Sequence, residues 1–250
     1  MPIPKIIHFI WIQGESKIPK HLMDFYTGCK NINNDFKFMF WDEDKIIEFL
    51  KKNFDKKYLD LYLKYKVMAQ KADFARYVIV YTYGGIYLDI DTFCKKNMTP
   101  LLQYQFFYSE PITILGFNKN IVNAVFGSIK GHPIFKIIFR LMLEREDRID
   151  DVVYSTGPGL LYDAIEEYKK VPEPKISINS LDKKFIDPCS IFVGEKVCTK
   201  VCKDCFTVNM ANVSWSKKLQ YVIWIRDNLN TFLLIIISLI IILFLLIGIF

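Results

Sequence analysis

Apolar and polar positions alternate with two different periods along most of this chain, and with none at its end. KIIHFIWI at 5–12 is a β-branched and aromatic run that reads as a buried strand, closed by Gln13 and Gly14. Pro19 opens a predicted helix through Cys29. Positions 36–41 alternate into a second strand, and Asp42 is placed to cap a helix over 43–52. Tyr58, Leu61, Tyr62 and Tyr65 recur at helical spacing over 55–65. The run 67–83 is a long helical candidate that Gly84 and Gly85 stop, and 86–90 is a short strand running into Asp91. Beyond Pro100 the pattern loosens: 106–108 and 112–115 predict strands, 121–126 a short helix, and 133–145 a clear helix opened by Pro133. TGPG at 156–159 leads into a helix ending at Lys169, and short strands alternate with loops over 175–215. This order of strands and helices predicts a single α/β domain.

The final stretch, TFLLIIISLIIILFLLIGIF at 231–250, has no charged residue. As a helix rising ~1.5 Å per residue it would reach ~30 Å, the thickness of a bilayer core. The expected organisation is a globular domain over 1–215, a juxtamembrane linker over 216–230 and a C-terminal transmembrane helix over 231–250. Lys217, Lys218 and Arg226 precede that helix and, by the positive-inside rule, put the domain on the cytoplasmic face. The formal charge of +6 suits anionic headgroups or a phosphorylated small molecule. Nucleic acid is not expected as a partner, because the basic residues form no long run. Cys29 and Cys94 stand alone, while Cys189, Cys198, Cys202 and Cys205 cluster. The cluster reads either as a structural Zn2+ site or as buried free thiols; disulfides are not expected in a cytoplasmic domain.

Candidate chemistry centres on AQKADFARYVIVYTYGGIYLDID at 69–91. Asp73 and Arg76, three apart on a helix, share a face among apolar neighbours. A carboxylate beside a guanidinium can both accept from and donate to sugar hydroxyls. Asp89 and Asp91 alternate with Leu88 and Ile90, which in an extended segment puts both carboxylates on one side. Two adjacent carboxylates repel unless a cation intervenes. Mn2+ or Mg2+ with oxygen ligands would relieve that repulsion and also grip a diphosphate.

The run ADFARY…YGGIYLDID resembles the D-x-D sugar-binding region of glycosyltransferase family 32. IPKIIHFIWIQG at the start, FGSIKGHP at 126–133, TGPG at 156–159 and the pair Ser214–Trp215 are similar to further stretches of that family, in the same order. The resemblance implies a GT-A fold, a mixed sheet flanked by helices, and retaining transfer from a nucleoside diphosphate sugar. It implies that Trp11 lies near the base, that Asp73 and Arg76 hold the donor sugar, that Tyr87 lines the site and that Asn123 touches the sugar. Asp89 would contact ribose or sugar and reach the metal through water, Asp91 would ligate it directly, and Ser214 and Trp215 would bind the diphosphate. Where the family usually carries a metal-binding histidine this chain has Asn209, with Asn212 a second candidate. His8 and His132 are expected to be structural. The acceptor would be a lipid-linked, glycan or protein molecule at a membrane. The competing expectation is a catalytically inactive, membrane-anchored scaffold that keeps the fold.

Overall fold

A computed structural model describes residues 1–114, 117–173, 175–186, 202, 204–210 and 216–246. The strands are β1 (Ile6–Ile10), β2 (Lys37–Trp41), β3 (Gly85–Leu88), β4 (Thr92–Cys94), β5 (Phe106–Ser109), β6 (Ile112–Ile114), β7 (Phe117–Asn120), β8 (Val125–Ser128), β9 (Asn179–Leu181) and β10 (Thr207–Asn209). The helices are α1 (Lys20–Ile32), α2 (Glu43–Asn53), α3 (Lys56–Lys64), α4 (Met68–Tyr83), α5 (Ile134–Glu144), α6 (Val152–Ser155), α7 (Pro158–Lys169), α8 (Lys217–Asp227) and α9 (Leu229–Leu246). Six strands form the main sheet in the order β2-β1-β3-β8-β5-β9. β1 runs parallel to β2 and β3, whereas β8 runs antiparallel to β3 and β5. The sheet is therefore mixed. β4 and β10 form a separate two-stranded ribbon, as do β6 and β7.

Strand alternation sends side chains to two apolar layers. Ile7, Phe9, Ile86, Leu88, Phe107 and Val125 enter the layer that includes Leu22, Tyr26 and Cys29 of α1. Ile10, Tyr87, Phe106, Tyr108 and Phe126 enter the opposite layer with α2, α3, α4, α5 and α7. Strands covered on both faces favour apolar residues at nearly every position, which explains the run in β3 and that in β1, broken only by the hydrogen-bonded His8. In α4 every residue from Asp73 to Val80 is buried. Asp42 caps α2 as the sequence predicts, its carboxylate accepting from the Lys45 backbone N–H at 3.0 Å. Gly85 has φ +103°, and a Cβ there would lie 2.7 Å from the Ile6 carbonyl oxygen, so only glycine lets β3 start against β1.

Three expectations are corrected here. The segment 121–126 is not a helix: Val125 opens β8, whose strand character comes from pairing with β3 and β5. Asp89 to Asp91 is not extended but a tight turn, in which Thr92 N–H donates to the Asp89 carbonyl at 3.0 Å. Cysteines pair rather than bind zinc: Cys29 bonds Cys94 and Cys202 bonds Cys205, which removes two of the four supposed ligands, while Cys189 and Cys198 lie outside the described residues.

The chain end also departs from expectation. α9 has 18 residues, a rise of about 27 Å, and among the described residues no helix is long and apolar enough to cross a membrane. Positions 247–250 of the anticipated span lie outside the described residues. The α9 side chains from Leu233 to Leu243 are nevertheless exposed, Leu234 by 65%.

Candidate active site

The site forms where β1 and β3 end and β8 begins. β1 and β3 are parallel, so their carboxyl ends reach the same edge of the sheet. β8 runs the other way, with Leu88 opposite Val125, so the segment just before it arrives at that edge too. Asp89 N–H donates to the Ala124 carbonyl at 2.9 Å, fixing the turn beside Asn123. Open α/β sheets bind ligands at such carboxyl edges because the loops there are free to vary.

Asp73, Arg76 and Tyr77 reach the edge from one face of α4. One Arg76 nitrogen pairs with Asp73 Oδ1 at 3.0 Å and Asp89 Oδ1 at 3.1 Å, and the other terminal nitrogen donates to the Asn123 carbonyl at 2.7 Å. The guanidinium carbon stands 4.4 Å from the centre of the Tyr87 ring. Tyr87 O–H donates to Asp89 Oδ1 at 2.5 Å. Asn123 Nδ2 donates to Asp73 Oδ1 at 2.8 Å and to the Tyr77 hydroxyl at 3.2 Å. Thr156 O–H donates to Asp73 Oδ2 at 3.2 Å. Both Asp73 oxygens are thus engaged, and the predicted Asp73, Arg76, Tyr87, Asp89 and Asn123 meet in one network.

Burial shapes the charges of this network. It pushes the Asp73 carboxyl up to about 6, partly countered by the nearby Arg76 guanidinium and reinforced by Asp89. Burial works against the Arg76 charge, yet Asp89, Tyr87 and Asp73 together hold it above the ordinary arginine value. Tyr77 and Tyr87 are raised chiefly by burial, so both phenols stay protonated and can donate.

Asp91 is 8% exposed and ends the turn just before β4, beside the β4–β10 ribbon. Asn209 Nδ2 donates to Asp91 Oδ1 at 3.0 Å and to the Thr92 hydroxyl at 3.4 Å, and Met210 N–H donates to the Asp91 carbonyl at 3.1 Å. A half-turn of the Asn209 amide presents its oxygen instead, so Asp91 and Asn209 can supply two hard oxygen donors side by side. Among the described residues no group of three or more His, Cys, Asp or Glu side chains is arranged to hold a metal.

Trp11 follows β1, its backbone N–H donating to the Trp41 carbonyl at 3.0 Å, and its buried indole N–H has no partner among the described residues. A buried donor without an acceptor costs roughly 1–3 kcal/mol, which a ligand acceptor would recover. Ser214, Trp215 and Asn212 lie outside the described residues. His8 is buried; its Nε2–H donates to the Gly84 carbonyl at 2.8 Å, and Nδ1 accepts from Trp41. His132 Nε2–H donates to the Ser177 carbonyl and its Nδ1 accepts from Ile134 N–H. Burial lowers both imidazoles to about 4. Neutral and fully bonded, neither serves as a base. A groove of about 320 Å3 between β2, α2 and Tyr83 is lined by none of the network residues.

Sequence reasoning missed Thr156 and Tyr77. Tyr77 could have been found, since it lies four residues after Asp73 on the same helical face. Thr156 heads the TGPG stretch, but nothing local ties it to a carboxylate 83 positions earlier.

A mixed sheet with helices on both faces, a charged network at its carboxyl edge and paired aspartates after the third strand defines a GT-A-type glycosyltransferase. The fold is similar to that of the PaToxG glycosyltransferase, with a TM-score of 0.53 at 20% identity over 67% of this chain and 70% of that one. It is also similar to the UDP-bound glycosyltransferase domain of the YGT toxin, with a TM-score of 0.51 at 10% identity over 72% and 80% of the two chains. Residues 19–107 match the family of glycosyltransferase sugar-binding regions containing the DXD motif. An uncharacterized glycosyltransferase of Acanthamoeba polyphaga mimivirus is 43% identical over 87% of this chain and 86% of its own length. Inositol phosphoceramide mannosyltransferase 3 of Schizosaccharomyces pombe is 31% identical over 68% of this chain, which spans 47% of that protein's length. The chain belongs to this family, glycosyltransferase family 32, and is a glycosyltransferase.

Proposed function

We propose that the chain moves a hexose, with retention of configuration, from a nucleoside diphosphate sugar to a lipid-linked, glycan or protein acceptor at a membrane. The observation that carries this reading is the buried Asp73–Arg76–Asp89 network at the carboxyl edge of β1 and β3. Removing charges from water is expensive, and such clusters in sites open to ligands point to function rather than stability. Asp73 and Arg76 hold the donor sugar, Asn123 and Thr156 orient Asp73, and Tyr87 orients Asp89. Trp11 offers its indole to the base, with Ser214 and Trp215 toward the diphosphate.

Asp91 and Asn209 would hold Mn2+ or Mg2+, with Asp89 reaching it through water and Asn212 as the second candidate. When bound, such a cation stabilises negative charge on the leaving diphosphate. The acceptor hydroxyl attacks from the face the diphosphate leaves, and the leaving phosphate oxygen takes the proton. No side-chain base is then required, consistent with the two neutral, bonded imidazoles.

Mannose is the donor sugar and a phosphorylated lipid the acceptor that we favour, by analogy with the inositol phosphoceramide mannosyltransferases, about half of whose length this chain spans. The apolar surface of α9 is where we place the membrane contact. The two disulfides favour an oxidising face of that membrane, against the cytoplasmic side that Lys217, Lys218 and Arg226 suggest.

The test is donor hydrolysis by the full chain with Mn2+ and GDP-mannose, UDP-glucose or UDP-galactose. Turnover that Asp91→Asn lowers by about 100-fold or more supports the reading. No turnover with any of the three would favour the inactive scaffold.

A further inference from the structure

The ribbon that carries Asn209, and that Asp91 directly precedes, is not part of the main sheet. Its position is set by other contacts: Thr207 of β10 bridges Ile186 beyond β9, and α1 supplies contacts along β4. Phe25, Cys29 and Asn33 recur at i, i+4 and i+8, on one face of α1 and its C-cap. Each meets the chain in or just after β4. The Phe25 ring stands edge-on to Phe93 at 6.2 Å, Cys29 is bonded to Cys94, and Asn33 Oδ1 accepts from Met98 N–H at 2.8 Å. The disulfide is the covalent rung of this seam and is fully buried. On the other strand of the ribbon, Cys202 and Cys205 pair just before β10 and pack with Val208, Phe93 and Met210 in a small core of their own. The α4 network has no such clamp: Asp73, Arg76 and Asn123 are held by α4 and by the strands of the main sheet.

We propose that the Cys29–Cys94 disulfide is a positioning element for the diphosphate end of the site, fixing β4 on α1 so that Asp91 stays against Asn209. Reduction then loosens the ribbon and weakens cation capture while leaving the main sheet and the sugar-holding network in place. The proposal rests on the reading of Asp91 and Asn209 as cation ligands, but its structural half does not.

The experiment compares the oxidised full chain, the same protein reduced in situ, Cys29→Ala/Cys94→Ala, and Cys202→Ala/Cys205→Ala as a second break in the ribbon. Mn2+ alone is titrated by electron paramagnetic resonance, and backbone hydrogen exchange is followed by mass spectrometry. Reduction and the Cys29/Cys94 variant should each weaken Mn2+ binding by about tenfold or more, the range expected when a support behind a metal ligand is lost. Exchange should accelerate at 92–94 and 207–209 and stay slow at 6–10 and 85–88. Unchanged exchange in the ribbon overturns the proposal. So does loss of protection throughout the main sheet, or global unfolding of both reduced protein and variant, because the disulfide would then stabilise the whole domain. If oxidised protein takes up no Mn2+, the metal reading falls and the exchange pattern alone decides the clamp.

Discussion

Arg76 is the residue on which the site turns. Its guanidinium joins Asp73, Asp89 and the Asn123 carbonyl while lying over Tyr87. A planar fork with five donors can hold several partners at once in a fixed geometry. Asp73 depends on this pairing, because burial alone would drive its proton back on; the balance leaves it near 6. A raised carboxyl pKa means the folded protein holds its proton to higher pH than the unfolded chain does. Donor capture by an ionised Asp73 should therefore be complete above pH 7 and fall as pH drops through about 6. Measuring kcat/KM for the donor from pH 5 to 8 checks this, and a flat acid limb would remove Asp73 from the donor site. Asp73 and Arg76 were legible as a pair from their spacing alone. Thr156 was not, because a hydrogen bond between distant segments leaves no local pattern.

Glycines separate the elements that tolerate change from those that do not. Gly127 in β8 faces the buried Phe107, and a Cβ there would come within 2.2 Å of the ring. Gly127→Ala should destabilise the domain by about 1–3 kcal/mol through overpacking. Gly28 lies inside α1 with nothing within 4 Å of its missing Cβ. Gly28→Ala should instead stabilise by up to about 1 kcal/mol, since alanine forms helix better and narrows the unfolded ensemble. Urea titrations of the two variants check the contrast, and equal effects would contradict it. α2 and α5 were readable from period and their N-terminal residues, and α4 from its length and the Gly84–Gly85 stop. β8 was misread because a four-residue strand is defined by its partners and carries too few residues to show a period.

At the scale of the whole molecule, the chain joins the buried Asp73–Arg76–Asp89 network to an apolar helix at α9. Trp224 stacks on Tyr221 and meets Phe232 edge-on, so an aromatic group sits where α8 passes into α9. Such groups prefer the boundary between headgroups and acyl chains. Deleting 229–246 should leave donor binding intact and abolish flotation with anionic lipid vesicles. Flotation equal to that of the full chain would remove α9 as the membrane contact.

The sequence by itself determined the α/β class and the family and pointed to Asp73, Arg76, Tyr87, Asp89 and Asn123, because those follow from short-range periodicity and from motifs in fixed order. Tertiary structure alone decided which cysteines pair, where Asp91 parts from Asp89, and which strand meets which. Cysteines 65 positions apart have many possible partners in sequence and one in space. A turn and an extended segment of three residues look alike until the hydrogen bond from Thr92 to Asp89 closes one of them.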